Sequence, residues 1–203
     1  MANKYQTLSE FLVKPFGSPE TITKDQTFNA KYISLLQKNG IKIKAVTEVE
    51  NSWFYHITIA SESNEGYTYD VVIRFFTDNP LYLKEVSLRN YYVQFFSNAP
   101  SFMYTFAYVY KQNGFLIEAL YDKLDPDYID TPPEKTNATM HASYDKSIYC
   151  ACRYLEELKF RYLHKTGPIT LKKIKSNKFF SLFTHNLMIH SIKLMNNERI
   201  HII

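Results

Sequence analysis

The strongest constraint on this chain lies between residues 41 and 77, where three stretches suited to β-structure follow one another with only short polar turns between them. In the first, Ile41, Ile43, Ala45 and Val49 lie on one side and Lys42, Lys44 and Glu48 on the other, the period-two pattern of a half-buried strand. Glu50, Asn51 and Ser52 supply a turn, and residues 53–60 continue with β-branched and aromatic side chains. A polar turn over 61–66 leads into 67–77, rich in Val, Ile, Phe and Tyr. Parallel neighbours need crossovers of about a dozen residues or more, so these connections predict an antiparallel meander.

Helices flank this sheet. Thr7 with Glu10 forms a capping-box pattern, and Pro15 and Gly17 stop the helix within two turns. Thr23 with Gln26 opens a second, from about 24 to 38, with Phe28, Tyr32, Leu35 and Leu36 on one face and Gly40 just past its end. Beyond the break at Asp78, Asn79 and Pro80, residues 83–88 and 91–97 read as further strands. Ser101 heads a helix of about 101 to 112 that is apolar on nearly all sides and is therefore expected to be buried, and 116–124 reads as another. Residues 125–142, with Pro126, Pro132 and Pro133, read as a long loop of the kind that is functional or packs on a partner. Ser143 then caps a clear amphipathic helix through Tyr144, Ile148, Ala151, Cys152, Leu155, Leu158 and Tyr162. Gly167 and Pro168 end it, and a last helix is expected from about 176 to 195. The class predicted is α+β: a mostly antiparallel sheet of four or five strands flanked by helices, with two C-terminal helices. Residues 1–142 form the sheet-bearing unit, and residues 143–203 a basic helical segment packed on it.

Charge divides farther along, between residues 157 and 158. Residues 1–157 hold 15 Lys and Arg against 19 Asp and Glu, a net of −4, while residues 158–203 hold 9 Lys and Arg against Glu198 alone, a net of +8. An acidic body with a basic tail suggests an acidic partner for the tail: nucleic acid, an acidic protein surface or the body of a neighbouring copy. The densest apolar stretch, 102–110, is far shorter than the roughly 20 residues that span a bilayer, and the first residues lack the apolar core of a signal peptide. A soluble protein with no membrane partner is expected. Two cysteines imply no disulfide framework, consistent with a reducing compartment. Lys outnumbers Arg 19 to 5, a bias that fits an AT-rich genome.

Searches for chemistry return little. Cys150 and Cys152 stand about 200° apart on their helix and cannot chelate one ion. The six histidines include no pair at helical ligand spacing, and His185 and His190 diverge by about 140°. The acids Asp122, Asp125, Asp127, Asp130 and Glu134 do not match a calcium loop, which needs Gly where Asp130 stands. Glu48 and Asp70 fall on strands expected to be neighbours, but no acid-x-Lys element follows to complete a nuclease centre. Phosphate-loop, dinucleotide and nucleophile-elbow motifs are absent from the sequence. The expectation is a protein that is not an enzyme, with no catalytic residue, metal or cofactor.

Two binding readings remain. Lys172, Lys173, Lys175 and Lys178 place four cations within seven residues, followed by Phe179 and Phe180, a pattern suited to nucleic acid or another acidic partner. The surplus of Tyr and Phe, the long loop and the apolar ends suit contacts with other proteins. The stretch LRNYYVQFFSNAPSFMYTFAYVY at 88–110, with Asn79 and Pro80 ahead of it, resembles small structural and assembly proteins of tailed bacteriophages from AT-rich Gram-positive hosts. That resemblance implies a role in virion assembly, in the virion or the host cytoplasm, with other phage structural proteins or a second copy of the chain as partners. DNA or RNA binding by the four lysines is the alternative.

Overall fold

The computed structural model describes residues 5–13, 25–49, 52–78, 88–121, 126–133, 137, 144–157 and 171–173. Its centre is one sheet in the order β4-β3-β2-β1-β5, where β1 is Ile41–Val49, β2 Ser52–Ala60, β3 Thr68–Phe76, β4 Tyr92–Ser97 and β5 Leu171–Lys173. The first four strands pair antiparallel as the meander, and the fold is of the α+β class. β5 lies parallel to β1, with Leu171, Lys172 and Lys173 opposite Val46, Thr47 and Glu48. The expected strand at 91–97 is β4. Of the one expected at 83–88, residues 83–87 lie outside the described residues and Leu88 opens a single 3-10 turn, Leu88–Asn90.

The alternation read along β1 needs a correction. Ile43 stands opposite Ile57 but Ala45 opposite His56, so Lys44 is an extra residue, a β-bulge. A shift of one residue exchanges faces. Ile41 and Ile43 therefore share a face with Val46, while Ala45 and Val49 move to the other. The adjacent apolar pair Ala45 and Val46 conceals this in the sequence.

The first face carries Trp53, Tyr55, Ile57, Val71, Ile73 and Phe95, all buried, and helices lie on it. The second face mixes buried Phe54, Val72 and Phe96 with polar groups. There Arg74 donates to Ser52 Oγ (3.1 Å) and Gln94 Oε1 (2.8 Å), and Gln94 donates to the Gly114 carbonyl (3.1 Å). Both sheet edges are managed. The β4 edge bonds to two extended segments: Leu8 N–H to the Tyr91 carbonyl (2.9 Å), Val93 N–H to Gln6 (3.0 Å), Phe95 N–H to Phe115 (2.6 Å) and Ile117 N–H to Phe95 (3.1 Å). On the β1 edge β5 pairs with the second half, and ahead of it the exposed Lys42, the bulge and exposed Lys44 discourage further pairing.

Helix α1, Leu8–Val13, begins with the expected capping box: Glu10 N–H donates to Thr7 Oγ1 (3.2 Å) and Glu10 Oε2 accepts from Thr7 N–H (2.8 Å). Helix α2 is Asp25–Gln37, and the left-handed residue after it is Asn39 (φ 51°), not Gly40. Gly40 serves a close approach instead, since a Cβ there would come 3.0 Å from Leu35 Cδ2 and 3.1 Å from Ala60 Cβ. The single helix expected at 101–112 is two, α3 Pro100–Thr105 and α4 Ala107–Gln112, interrupted at Phe106 (φ −119°, ψ −22°). Ser101 is not its cap; Ala99 occupies that position, and the Ser101 hydroxyl donates to Asp145 Oδ2 (2.7 Å). Of the helix expected at 116–124, Glu118–Tyr121 is α5, Leu116 and Ile117 pair with β4 instead, and residues 122–124 lie outside the described residues. The long loop contains a helical turn, α6 Pro126–Ile129.

Helix α7, Lys146–Glu157, is capped by Asp145, whose Oδ1 accepts from the N–H of Ser147 (2.9 Å) and Ile148 (3.3 Å). Ser143, the expected cap, lies outside the described residues, as do Leu158, Tyr162 and the expected helix 176–195. Ile148, Ala151, Cys152 and Leu155 are buried as the period predicts, but so are Asp145, Ser147, Tyr149 and Cys150. The cause is a second neighbour: α7 lies between the sheet and α2, with Phe28 and Tyr149 ring centroids 5.5 Å apart. Residues 144–155 thus belong to the same core as the sheet.

Where α1, α4 and β4 meet, aromatics fill the core. Phe11 lies 4.4 Å from Phe95 and 5.3 Å from Phe115 between ring centroids, and Phe102 meets Tyr110 edge-on at 5.3 Å. Such pairs add about 0.5–1.5 kcal/mol each beyond the area they bury. Tyr144 closes the cluster, 5.3 Å from the Phe11 ring, with its hydroxyl donating to the Phe11 carbonyl (2.7 Å).

Candidate functional site

The residues nominated by the sequence are not brought together. Lys172 and Lys173 fall on β5, the outermost strand beside β1, while Lys175 and Lys178 lie outside the described residues. Glu48 and Asp70 are not on neighbouring strands, since β2 separates β1 from β3. Glu48 stands opposite Trp53 and Asp70 opposite Thr58, which places them on different faces of the sheet. Among the described residues no group of three or more His, Cys, Asp or Glu is placed to hold a metal ion. Cys150 and Cys152 are both buried free thiols; burial pushes Cys150 up to about 12 and Cys152 well above its ordinary value, so neither is a nucleophile near neutral pH. Of the loop acids, Asp130 is engaged by Lys111 (2.5 Å) and Asp127 is exposed.

One polar group that the sequence did not signal sits on the second face of the sheet. His56 Nε2 lies 2.6 Å from Asp70 Oδ1, Asn98 Nδ2 donates to Asp70 Oδ2 (3.1 Å), and Asp70 N–H donates to Asn98 Oδ1 (2.7 Å). The three come from β2, β3 and the residue after β4, so the pairing register assembles them. Chemically this is an oriented imidazole that also ties three strands together.

A second site is a cavity of about 290 Å³ where α2, the β2–β3 turn and the start of α7 converge. Lys31 from α2, Glu62 and Tyr69 from the turn and β3, Ser101 from α3, and Lys146 and Cys150 from α7 contribute to its lining. The Lys31 side chain is only 9% exposed. Glu62 pairs with both Lys31 and Lys146, the latter at 2.9 Å. Burial, with the Lys146 ammonium beside it and Lys38 farther off, holds the Lys31 amine down at about 8. Two cations meeting on one partly exposed carboxylate in a concave site can hold an anion.

The third feature is on the surface. Tyr104, 47% exposed on α3, meets Tyr128 of α6 edge-on with ring centroids 5.0 Å apart, and the Tyr128 hydroxyl donates to that of Tyr104 (3.3 Å). The Lys111 to Asp130 ion pair and Asn137 Nδ2 donating to the Thr105 carbonyl (3.3 Å) fasten the same loop onto α3 and α4. The expectation that the whole 101–112 run is buried is corrected here: Phe102, Ala107, Val109 and Tyr110 are interior, but Tyr104 faces solvent. The signal was available, since Ser101 and Tyr104 stand three apart on one side of a helix. Comparison with protein-family models, curated proteins and solved structures finds no match. Among the described residues no helix is long and apolar enough to cross a membrane.

Proposed function

We propose that this protein is a non-enzymatic structural or assembly protein of a tailed bacteriophage, working in the virion or the host cytoplasm through contacts with other phage structural proteins or with a second copy of itself. The observation that carries the reading is the Tyr104 and Tyr128 pair, held on the surface by a fastened loop. Tyrosine supplies a large, stiff contact with a polar tip, and it is enriched among the residues that dominate protein interfaces. The phage context rests on the resemblance of residues 88–110, and this same stretch contains Tyr104.

Size-exclusion chromatography with light scattering of the purified protein, together with mass spectrometry of purified virions, tests the proposal. The expected result is a defined oligomer or a stable complex with a virion protein, and recovery of the chain from particles. A strict monomer that is missing from particles contradicts it.

A further inference from the structure

The cavity beside α7 carries an inference that is independent of the assembly reading. We infer that it is a binding site for a small monocarboxylate ligand, whose carboxyl group takes the place of Glu62 between Lys31 and Lys146. Several observations converge. At about 290 Å³ the space falls just below the range of drug-sized sites, which starts at about 300 Å³, and suits a smaller ligand. Two ammonium groups from two different helices meet there on one carboxylate. That carboxylate belongs to a residue whose side chain is 50% exposed, while the Lys31 side chain it meets is 9% exposed. A carboxylate enclosed in the cavity offsets more of the cost of burying Lys31.

Glu62 is free to leave without undoing its turn. The turn is closed by Ser61 N–H to the Tyr67 carbonyl (2.8 Å), Asn64 N–H to Ser61 Oγ (3.2 Å) and Tyr67 N–H to the Asn64 carbonyl (3.2 Å), and Glu62 takes part in none of these bonds. Gly66, at φ 82°, supplies the reversal. Glu62 is thus a built-in competitor that occupies the anion position until a ligand displaces it. The opposite wall sets the charge the ligand can carry. Asp145, bonded to Ser101 and Ser147 of the lining, sets an acidic side chain behind the site, which favours a ligand of low negative charge over a dianion. Ser61, Tyr69 and Ser101 add hydroxyl-bearing side chains to the lining, which suits a ligand with a polar body, such as a hydroxy acid.

Isothermal titration of 3-hydroxybutyrate and of inorganic phosphate into the full chain and two variants at neutral pH tests this. Glu62→Gln removes the competitor and is expected to bind 3-hydroxybutyrate at least tenfold more tightly than the native chain. Adding Lys146→Ser, at a half-exposed position, is expected to leave the near-ultraviolet circular dichroism unchanged and to lose at least tenfold of that affinity. Binding by Glu62→Gln no tighter than native, or binding indifferent to Lys146→Ser, overturns the site. Phosphate binding more tightly than the hydroxy acid overturns the monocarboxylate assignment.

Discussion

The aromatic cluster around Phe95 and the pair formed by Tyr104 and Tyr128 are built from the same residue types, yet they do different work. Phe102 and Tyr104 are two residues apart on α3, and the helix turns the first into the core and the second to solvent. Phe11, Phe95, Tyr110 and Phe115 contact one another in the interior, so each is held by the others and by the sheet beneath. Tyr104 and Tyr128 contact each other at the surface, where burial contributes little. The composition of this chain, with Tyr 17 and Phe 15, suggests an aromatic protein without saying which aromatics are spare. The structure separates the rings that make the fold from a pair that the fold presents outward.

That separation predicts a graded set of effects. Phe95→Ala opens a void at the centre of the cluster and is expected to cost about 3–5 kcal/mol in urea unfolding; a loss below about 1 kcal/mol says the cluster is not the stabilising centre. Asp145→Ala is next. It removes the cap of α7 and the acceptor that ties Ser101 of α3 to it, at an expected cost of about 1–3 kcal/mol. Asp145→Asn, which keeps an acceptor oxygen, is expected to restore part of that.

Lys31 gives a pH-dependent effect. Its folded amine titrates at about 8, against about 10.4 for a lysine in an unfolded chain, so between those values the unfolded state binds more protons. Burying this amine therefore costs stability in full below about 8, and the cost is relieved as pH rises from about 8 towards about 10.4. Unfolding of native and Lys31→Met chains compared from pH 7.5 to 9.5 is expected to show the native chain gaining on the variant as pH rises; a difference flat with pH contradicts the depressed amine. The smallest effect on stability belongs to Tyr104→Ser, at an exposed position, and Tyr128→Ser, at a half-buried one, each expected to cost about 0.5–1.5 kcal/mol through loss of the ring pair. A loss as large as that of Phe95→Ala would make the surface pair part of the core after all.

The meander was legible because its evidence is local: alternation, β-branched residues and turns too short for crossovers, all visible between 41 and 77. What escaped was whatever depends on two elements meeting. The bulge at Lys44 leaves no composition signal, because Ala45 and Val46 read as apolar in either register. Asp145 and Ser147 are polar residues at the start of an amphipathic helix, and the packing of α7 between α2 and the sheet buries them. His56, Asp70 and Asn98 are 14 and 28 residues apart and meet only through strand pairing. Lys31 was one charge on a helix face, and its significance comes from Lys146 and Glu62, which arrive from 115 and 31 residues farther along. The candidate lysines on the C-terminal segment were chosen by density in sequence, and only Lys172 and Lys173 fall among the described residues, on a strand at the sheet edge.

The central claim is that the core makes the fold while the surface tyrosines make contacts. Light scattering of the native chain beside the Tyr104→Ser/Tyr128→Ser double variant, under conditions where both show the same unfolding midpoint, tests it most directly. The account predicts an oligomer or partner complex for the native chain and its loss in the double variant. Identical association by both proteins, or a native chain that stays monomeric with every virion partner tried, contradicts it.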